Sequence, residues 1–426
     1  MSFDAPPPKR QRVAIVGGGI SGLAAAYRLS PQHDVTLFEA RKRLGGHART
    51  KLAGLNGDQP VDTGFIVFNY VNYPHLTRMF NDLGVPVEKS NMSFGATIDE
   101  GRVEYGLQAL RNVFGQRRNA LRPGYLRMIR DILAFNARAE KLATSDDMTV
   151  AELVRALGAG EWFERYYLMP ICGAIWSSPT QDIRDFPAKS LVRFFANHAL
   201  LTATDPHQWY TVTGGSVQYL TRLERHLRAT GVKLRLGAPV KSVKRDAGGV
   251  TVATAQGGPE HFDHVIMASH SDTSLSLLAD PSADEQRLLG AVKYQDNEVI
   301  LHRDPAQMPK RRACWSSWVY KADGDAERPA IGVTYWMNRL QNIPESDPLF
   351  ISLNPYLPVR EEMIYDVNTL RHPVFDGPAL KAQQEIKQMQ GTRNTWFAGA
   401  WLRNGFHEDG FASAVRVSDA LERAYA

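Results

Sequence analysis

Arg12-Val13-Ala14-Ile15-Val16-Gly17-Gly18-Gly19-Ile20-Ser21-Gly22-Leu23-Ala24-Ala25-Ala26-Tyr27-Arg28-Leu29 decides the fold. The β-branched run predicts a buried strand, the glycines a tight turn, and the alanine-rich stretch a helix. Gly17 permits the turn, Gly19 lets the backbone approach a pyrophosphate, and Gly22 allows the helix to pack on the strand. The helix N-terminus faces the phosphate charge. A second strand is predicted at Val35-Thr36-Leu37-Phe38, and Glu39 follows, seventeen residues after Gly22, where a carboxylate can accept both ribose hydroxyls. A glycine motif alone is weak support. Here strand, glycines, helix, second strand and acid all fall in register, so a dinucleotide is the expected ligand. Glu39 would repel a 2′-phosphate, which favours NAD over NADP, while NAD and FAD both fit the unit.

The chain has 426 residues, 43% hydrophobic and 22% charged, which suits a globular protein of two or three domains. Its net charge of +5 is spread over a long chain, so nucleic acid is not an expected partner. Cys172 and Cys314 cannot build a disulfide framework, and a reducing, cytoplasmic setting is expected. Met1–Gln11 carries Pro6-Pro7-Pro8 and no apolar signal core, and reads as a mobile tail. No apolar run approaches the roughly 20 residues of a membrane-spanning helix. His261 and His264 lack a Cys or Glu partner pattern and read as surface residues, so no metal is expected. Ser21 and Ser216 lie in glycine turns without a nucleophile elbow, which leaves hydrolase chemistry no anchor.

Further motifs select among dinucleotides. Glu39-Ala40-Arg41 leads to Leu44-Gly45-Gly46-His47-Ala48-Arg49-Thr50 and then Val61-Asp62-Thr63-Gly64. Near the other end come Thr395-Trp396-Phe397-Ala398-Gly399-Ala400 and Gly405-Phe406-His407-Glu408-Asp409-Gly410-Phe411. Together these resemble the flavin-containing amine oxidase and phytoene desaturase superfamily. The resemblance covers about 12–90, 205–275 and 392–426, and its first block is the specific one. It implies an α/β fold in which a discontinuous Rossmann-type FAD-binding domain (12–90, 205–275, 391–426) joins a mixed α+β substrate domain (91–204, 276–390). It also implies FAD contacts from Gly17, Gly19, Ser21, Gly22, Glu39, Ala40, Arg41, Gly45, Gly46, His47, Arg49, Thr63, Gly64, Gly399, Gly410 and Phe411, and from the backbone of Val240. From spacing alone, Val240 is a buried strand residue. Some superfamily amine oxidases hold FAD through a cysteine near the C-terminus; none follows Cys314, so a noncovalent flavin is expected. A helix N-terminus at the Gly410 turn would stabilise negative charge on a reduced flavin.

The segments outside those blocks carry two apolar, aromatic clusters. One runs from Tyr166 to Trp176, and the other contains Trp315, Trp318, Tyr320, Tyr335, Trp336 and Met337. Tyr167, Trp176, Trp336 and Phe406 are the candidates for contact with a hydrophobic substrate, although for any single aromatic a core role is the stronger reading. His407 and Glu408 are candidates for accepting a proton or orienting substrate, against the alternative that 407–409 merely caps the following helix. Lys293 is a candidate for the lysine that superfamily amine oxidases often place near the flavin. Leu107 to Lys141 carries seven arginines among apolar residues, which reads either as a solvated helix face or as peripheral contact with an anionic membrane.

Three functions follow from the resemblance. The first is FAD-dependent dehydrogenation or desaturation of a hydrophobic substrate such as a fatty acyl, including a methylated acyl, or isoprenoid chain. Segments 333–341 and 405–410 look like a bacterial branch associated with acyl-chain modification in membrane lipids. The second is an amine oxidase releasing hydrogen peroxide, and the third a flavin-binding scaffold without turnover. The motifs imply no particular electron acceptor.

Overall fold

Val13, Ala14 and Ile15 are fully buried, and the strand they belong to, Arg12–Val16, lies at the centre of a five-stranded parallel sheet. The computed structural model describes residues 10–145, 147–176, 183–198, 200–201, 207–323, 330–355 and 357–425. Most of the expected N-terminal tail, residues 1–9, lies outside them. The strands run in the order Lys233–Leu236, Asp34–Glu39, Arg12–Val16, His264–Met267, Thr395–Phe397, all parallel. The sheet thus gathers strands from near both ends of the chain and from its middle, as the α/β expectation required. Burial on both faces explains why the inner strands Arg12–Val16 and His264–Met267 read as apolar runs, whereas the edge strand Lys233–Leu236 alternates charged and apolar residues.

The Ile20–Leu29 helix packs its buried Leu23, Ala24, Ala25, Ala26 and Leu29 against this sheet and against the His407–Tyr425 helix. Small side chains permit that close approach: a Cβ on Gly22 would lie 1.8 Å from the Gly17 carbonyl oxygen. On the other face a three-stranded antiparallel sheet, Val240–Asp246, Gly249–Thr254 and Glu260–Phe262, covers Phe38 and Met267. Burying each such large apolar side chain is worth about 1.5–3 kcal/mol.

A seven-stranded sheet forms the second layer, in the order Ile364–Val374, Lys293–His302, Phe350–Leu353, Ala330–Trp336, Trp318–Asp323, Phe94–Ile98, Val103–Gly106. Helices between Pro123 and Asn197 pack onto one end of it through Tyr320, Ala96 and Tyr105. Among them the Pro123–Leu142 helix buries Tyr125, Met128, Ile132 and Phe135 and leaves its arginines outside. Among the described residues, no helix is long and apolar enough to cross a membrane. His264 corrects the surface reading: it is buried at the start of a central strand, while His261 is exposed. Both cysteines are buried and free, and among the described residues no group of His, Cys, Asp and Glu could hold a metal ion.

Candidate active site

The first strand ends in a turn that only glycine accommodates. Gly17 has φ +113°, and a Cβ there would lie 2.8 Å from the carbonyl oxygen of Ala268, just past the end of the adjacent strand. Glu39 organises the turn: its carboxylate accepts the Gly18 N–H at 2.7 Å and the Arg41 N–H at 2.8 Å. Ala40 and Arg41 are exposed at this outer end, and backbone bonds from Gly237 to Arg41 and from Ala238 to Glu39 bring the Val240 strand beside it. Gly19 begins the Ile20–Leu29 helix with no side chain capping it, so the first-turn N–H groups, Ser21 among them, point into the crevice at the carboxyl edge of the sheet.

A second loop closes over that helix end. Gly45 donates its N–H to the Gly18 carbonyl at 2.8 Å, and Arg43 holds the loop by donating to the carbonyls of Leu44, Gly46 and Ala48. Gly46 has φ +57°, and a Cβ on it would lie 3.0 Å from the Gly19 Cα. The His407–Tyr425 helix comes in from the far side, where a Cβ on Gly410 would meet Ile20 at 2.8 Å and the Ser21 hydroxyl at 2.9 Å. Two helix N-termini therefore converge on a cradle floored by Gly19 and Gly46, and Gly410 lets the second helix close against the first. Phe411 is buried next to Gly410, and Gly399 is tied to the same helix through its N–H bond to Ser413, 2.9 Å. An extended cofactor with a diphosphate in its middle fits this cradle and the Glu39 carboxylate beside it.

The Val61-Asp62-Thr63-Gly64 segment is a brace for this site. Asp62 is fully buried and accepts hydrogen bonds from the Thr50 hydroxyl at 2.6 Å, the Ser216 N–H at 2.8 Å and the Gln341 amide at 3.2 Å. Burial pushes its pKa up to about 7. Arg49 makes a two-pronged ion pair with Asp366 at 2.5 and 3.0 Å and a third bond to the Thr63 hydroxyl at 3.1 Å, so its guanidinium anchors the loop from the seven-stranded sheet. Gly64 lies so close that a Cβ would fall 1.8 Å from the His47 carbonyl oxygen.

His407 opens the closing helix. Its ring stacks on Phe65 at 4.0 Å, and its Nε2 is hydrogen-bonded to the Tyr219 hydroxyl at 2.9 Å. Burial, with His47 nearby, pushes its pKa down to about 3. Glu408 corrects the catalytic expectation. Its carboxylate accepts the N–H groups of His75 and Leu76, both at 3.0 Å, and so caps the Pro74–Asp82 helix, while burial raises its pKa to about 7. Asp409 caps its own turn by accepting the Phe406 N–H at 3.0 Å. Phe406 points to the helical layer, stacked on Phe194 at 5.4 Å and beside His198.

The aromatic candidates divide between the two faces of the seven-stranded sheet. Trp336 is a correction: it is buried on the outer face against Trp315 and Phe350, its Nε1–H donates to Asn338 at 3.0 Å, and Arg312 lies over its ring. Tyr335 and Trp318 point to the opposite face, into a cluster with Ile66, Met92 and Trp209. Tyr335 is half-buried, so part of its ring stays open on this face of the sheet. His407 is half-buried as well, and the adjacent residues Phe65, stacked on His407, and Ile66, packed in the Tyr335 cluster, link the two. Tyr167 is 2% exposed in the helical core against Phe163, within a π-helical turn, Glu164–Leu168. The Trp176 side chain lies outside the described residues. Lys293 is a further correction: it is exposed at a strand end, 3.9 Å from Asp376. Phe65, Tyr219, His270 and His372 were not singled out by sequence, since they become neighbours only through the fold.

Residues 20–308 match a family described as flavin containing amine oxidoreductase. The chain is 26% identical over 332 residues to a protein named as a flavin-containing monoamine oxidase of Mycobacterium tuberculosis, covering 75% of this chain and 68% of that one. It is 24% identical over 342 residues to a probable zeta-carotene desaturase of Synechococcus elongatus, covering 74% and 68%. Among solved structures, a CLA-producing fatty acid isomerase from P. acnes superposes with a TM-score of 0.66 at 17% identity, covering 100% of both chains. Cyclohexylamine oxidase from Brevibacterium oxydans gives 0.67 at 18% identity, covering 97% of this chain and 100% of that one. At such identities the structural likeness speaks for the fold alone.

Proposed function

We propose, for a chain that belongs to the flavin containing amine oxidoreductase family and is therefore an FAD-dependent oxidoreductase, that its reaction is dehydrogenation of a hydrophobic chain, fatty acyl or isoprenoid. FAD, when bound, supplies the two-electron acceptor that takes hydride at its N5. The protein's share is to bind, orient and keep water out. Gly17, Gly19, Gly22, Gly45 and Gly46 would hold the diphosphate region, Glu39 the ribose, and Gly410 and Phe411 the flavin end. Residues 91–204 and 276–390 form the substrate side of this reading.

The observation that carries it is the apolar, aromatic cluster around Tyr335. Tyr335, Trp318, Ile66, Met92 and Trp209 present apolar and aromatic surface, and the adjoining His407 imidazole is held neutral, so an alkyl chain is better matched there than an ammonium group. The likeness in sequence to a carotene desaturase supports a long apolar chain as substrate. Amine oxidation is the second reading, supported by the monoamine oxidase relative and disfavoured by the exposed Lys293. Incubation of the protein with total bacterial lipid tests the proposal: a loss of two daltons in an acyl or isoprenoid species supports it, and an unchanged lipid profile with peroxide formed from amines overturns it.

Access for such a substrate favours a membrane surface. Leu110, Leu121 and Leu133 are 74%, 86% and 58% exposed, and Arg111, Arg117, Arg127 and Arg130 stand exposed around them. Leu126, Arg130 and Leu133 follow helical spacing along one outer stripe of the Pro123–Leu142 helix. Leucines that enter the acyl layer, flanked by arginines for anionic headgroups, suit peripheral docking.

A further inference from the structure

We propose that His47, His270 and His372 form a clasp for the FAD diphosphate that takes up a proton as the cofactor binds. The inference rests on the reading above that places the diphosphate in the Gly19 and Gly46 cradle. The three imidazoles come from three elements: His47 directly follows Gly46, His270 lies just beyond the His264–Met267 strand, and His372 belongs to the Ile364–Val374 strand. Their rings gather around His47, with centroids 5.6 Å away for His270 and 5.8 Å for His372. This places them at the carboxyl edge of the parallel sheet, where an α/β fold receives its ligand.

The chemistry of the cluster follows from its hydrogen bonds. His47 Nε2 lies 3.1 Å from the Arg371 carbonyl oxygen, which can only accept, so Nε2 carries the hydrogen and Nδ1 of the neutral ring is the proton-accepting atom. His270 is fixed by stacking at 4.4 Å on Tyr294. Burial and mutual repulsion hold the rings neutral: His47 is pushed down, and His270 and His372 each to about 4.

The surrounding charges do not satisfy the cluster. Arg41 and Arg43 face His47, and Arg371 faces His270; all three oppose a further positive charge. The acids at hand, Asp272 and Asp296, are engaged by Arg371 at 2.7 and 3.2 Å. His407 lies beyond His47 but is committed to Tyr219 and Phe65. What the three rings lack is an anion, and a diphosphate carries two negative charges. An anion set against neutral imidazoles raises their proton affinity, so binding and protonation reinforce one another.

The test titrates FAD into the full-length protein stripped of flavin, by calorimetry in buffers of different ionisation enthalpy and by flavin fluorescence across a pH series. The expected result is a binding enthalpy that varies with the buffer and shows proton uptake, with Kd weakening by up to about tenfold per pH unit as pH rises from about 4 toward the raised pKa of the bound form, and level above it, as linkage requires. His270→Gln and His372→Gln, checked for folding by circular dichroism, should bind FAD more weakly and with a flatter pH dependence. FAD binding with a buffer-independent enthalpy and a Kd constant with pH in the unsubstituted protein would overturn the clasp while leaving the cofactor assignment intact. Failure to bind FAD at any pH would overturn both.

Discussion

Tyr219 and His407 are joined by a hydrogen bond of 2.9 Å, and the same imidazole stacks on Phe65, so the first residue of the closing helix is held from two sides. With its pKa pushed down to about 3 by burial, His407 stays neutral across the physiological range. It acts as a positioning residue. His407→Gln should lower turnover by less than the roughly hundredfold or greater loss expected for a general base, and leave the pH–rate profile unmoved. A pH limb that disappears in the variant would assign His407 a proton-transfer role instead.

Glu408 is a stability residue. Removing its carboxylate in Glu408→Ala leaves the buried Leu76 N–H and the partly buried His75 N–H without their acceptor, at a cost of about 1–3 kcal/mol. Its pH signature has a definite sign. The folded protein keeps the Glu408 proton to about pH 7, whereas the unfolded chain loses it near 4.5. The folded form therefore binds more protons between these values, and this group's contribution to stability, complete below the lower value, is lost as pH rises through the upper. Urea midpoints taken across this window should fall more in the unsubstituted protein than in Glu408→Gln; equal slopes would refute the assignment.

Tyr335 and Trp336, one residue apart, should respond in opposite ways. Trp336→Ala empties a packed site on the outer face of the sheet and should cost about 3–5 kcal/mol of stability. Tyr335→Ala alters the half-buried aromatic face proposed to meet substrate, so KM for the hydrophobic substrate should rise while the melting temperature changes less. Steady-state kinetics alongside thermal melts checks both.

Gly46→Ala should release flavin. The residue has φ +57°, and its new Cβ would lie 3.0 Å from the Gly19 Cα inside the cradle. A left-handed conformation costs a non-glycine residue about 1–2 kcal/mol, and the added methyl obstructs the diphosphate. The flavin-to-protein absorbance ratio after gel filtration should drop several-fold. Acid precipitation of the unsubstituted protein should leave its flavin in the supernatant, because the cofactor is held noncovalently.

Leu121→Asp together with Leu133→Asp should abolish co-sedimentation with anionic vesicles at low salt and leave activity on a soluble substrate intact. No binding of the unsubstituted protein to such vesicles would remove the membrane reading.

The glycine turn and Glu39 were legible in sequence because the chemistry they serve is local: strand, turn, helix and acid are contiguous, and each glycine answers a contact that only that spacing creates. The second layer was less legible. Sequence marks 315–337 as aromatic, but which of Tyr335 and Trp336 lies on the Ile66 and Trp209 face depends on the register of a strand within a seven-stranded sheet, and a shift of one residue exchanges the faces. The capping role of Glu408 is hidden for a related reason, since the helix it caps begins more than 300 residues earlier in the chain. The meeting of His47 with His270 and His372 is likewise a product of topology and has no local signature.

The visible spectrum of the purified protein, followed anaerobically, bears most directly on the proposed reaction. Addition of total bacterial lipid should bleach the flavin band near roughly 450 nm, where the oxidised cofactor absorbs, and mixed amines should leave it unchanged. Bleaching by amines and not by lipid would contradict a hydrophobic-chain dehydrogenase and make the protein an amine oxidase.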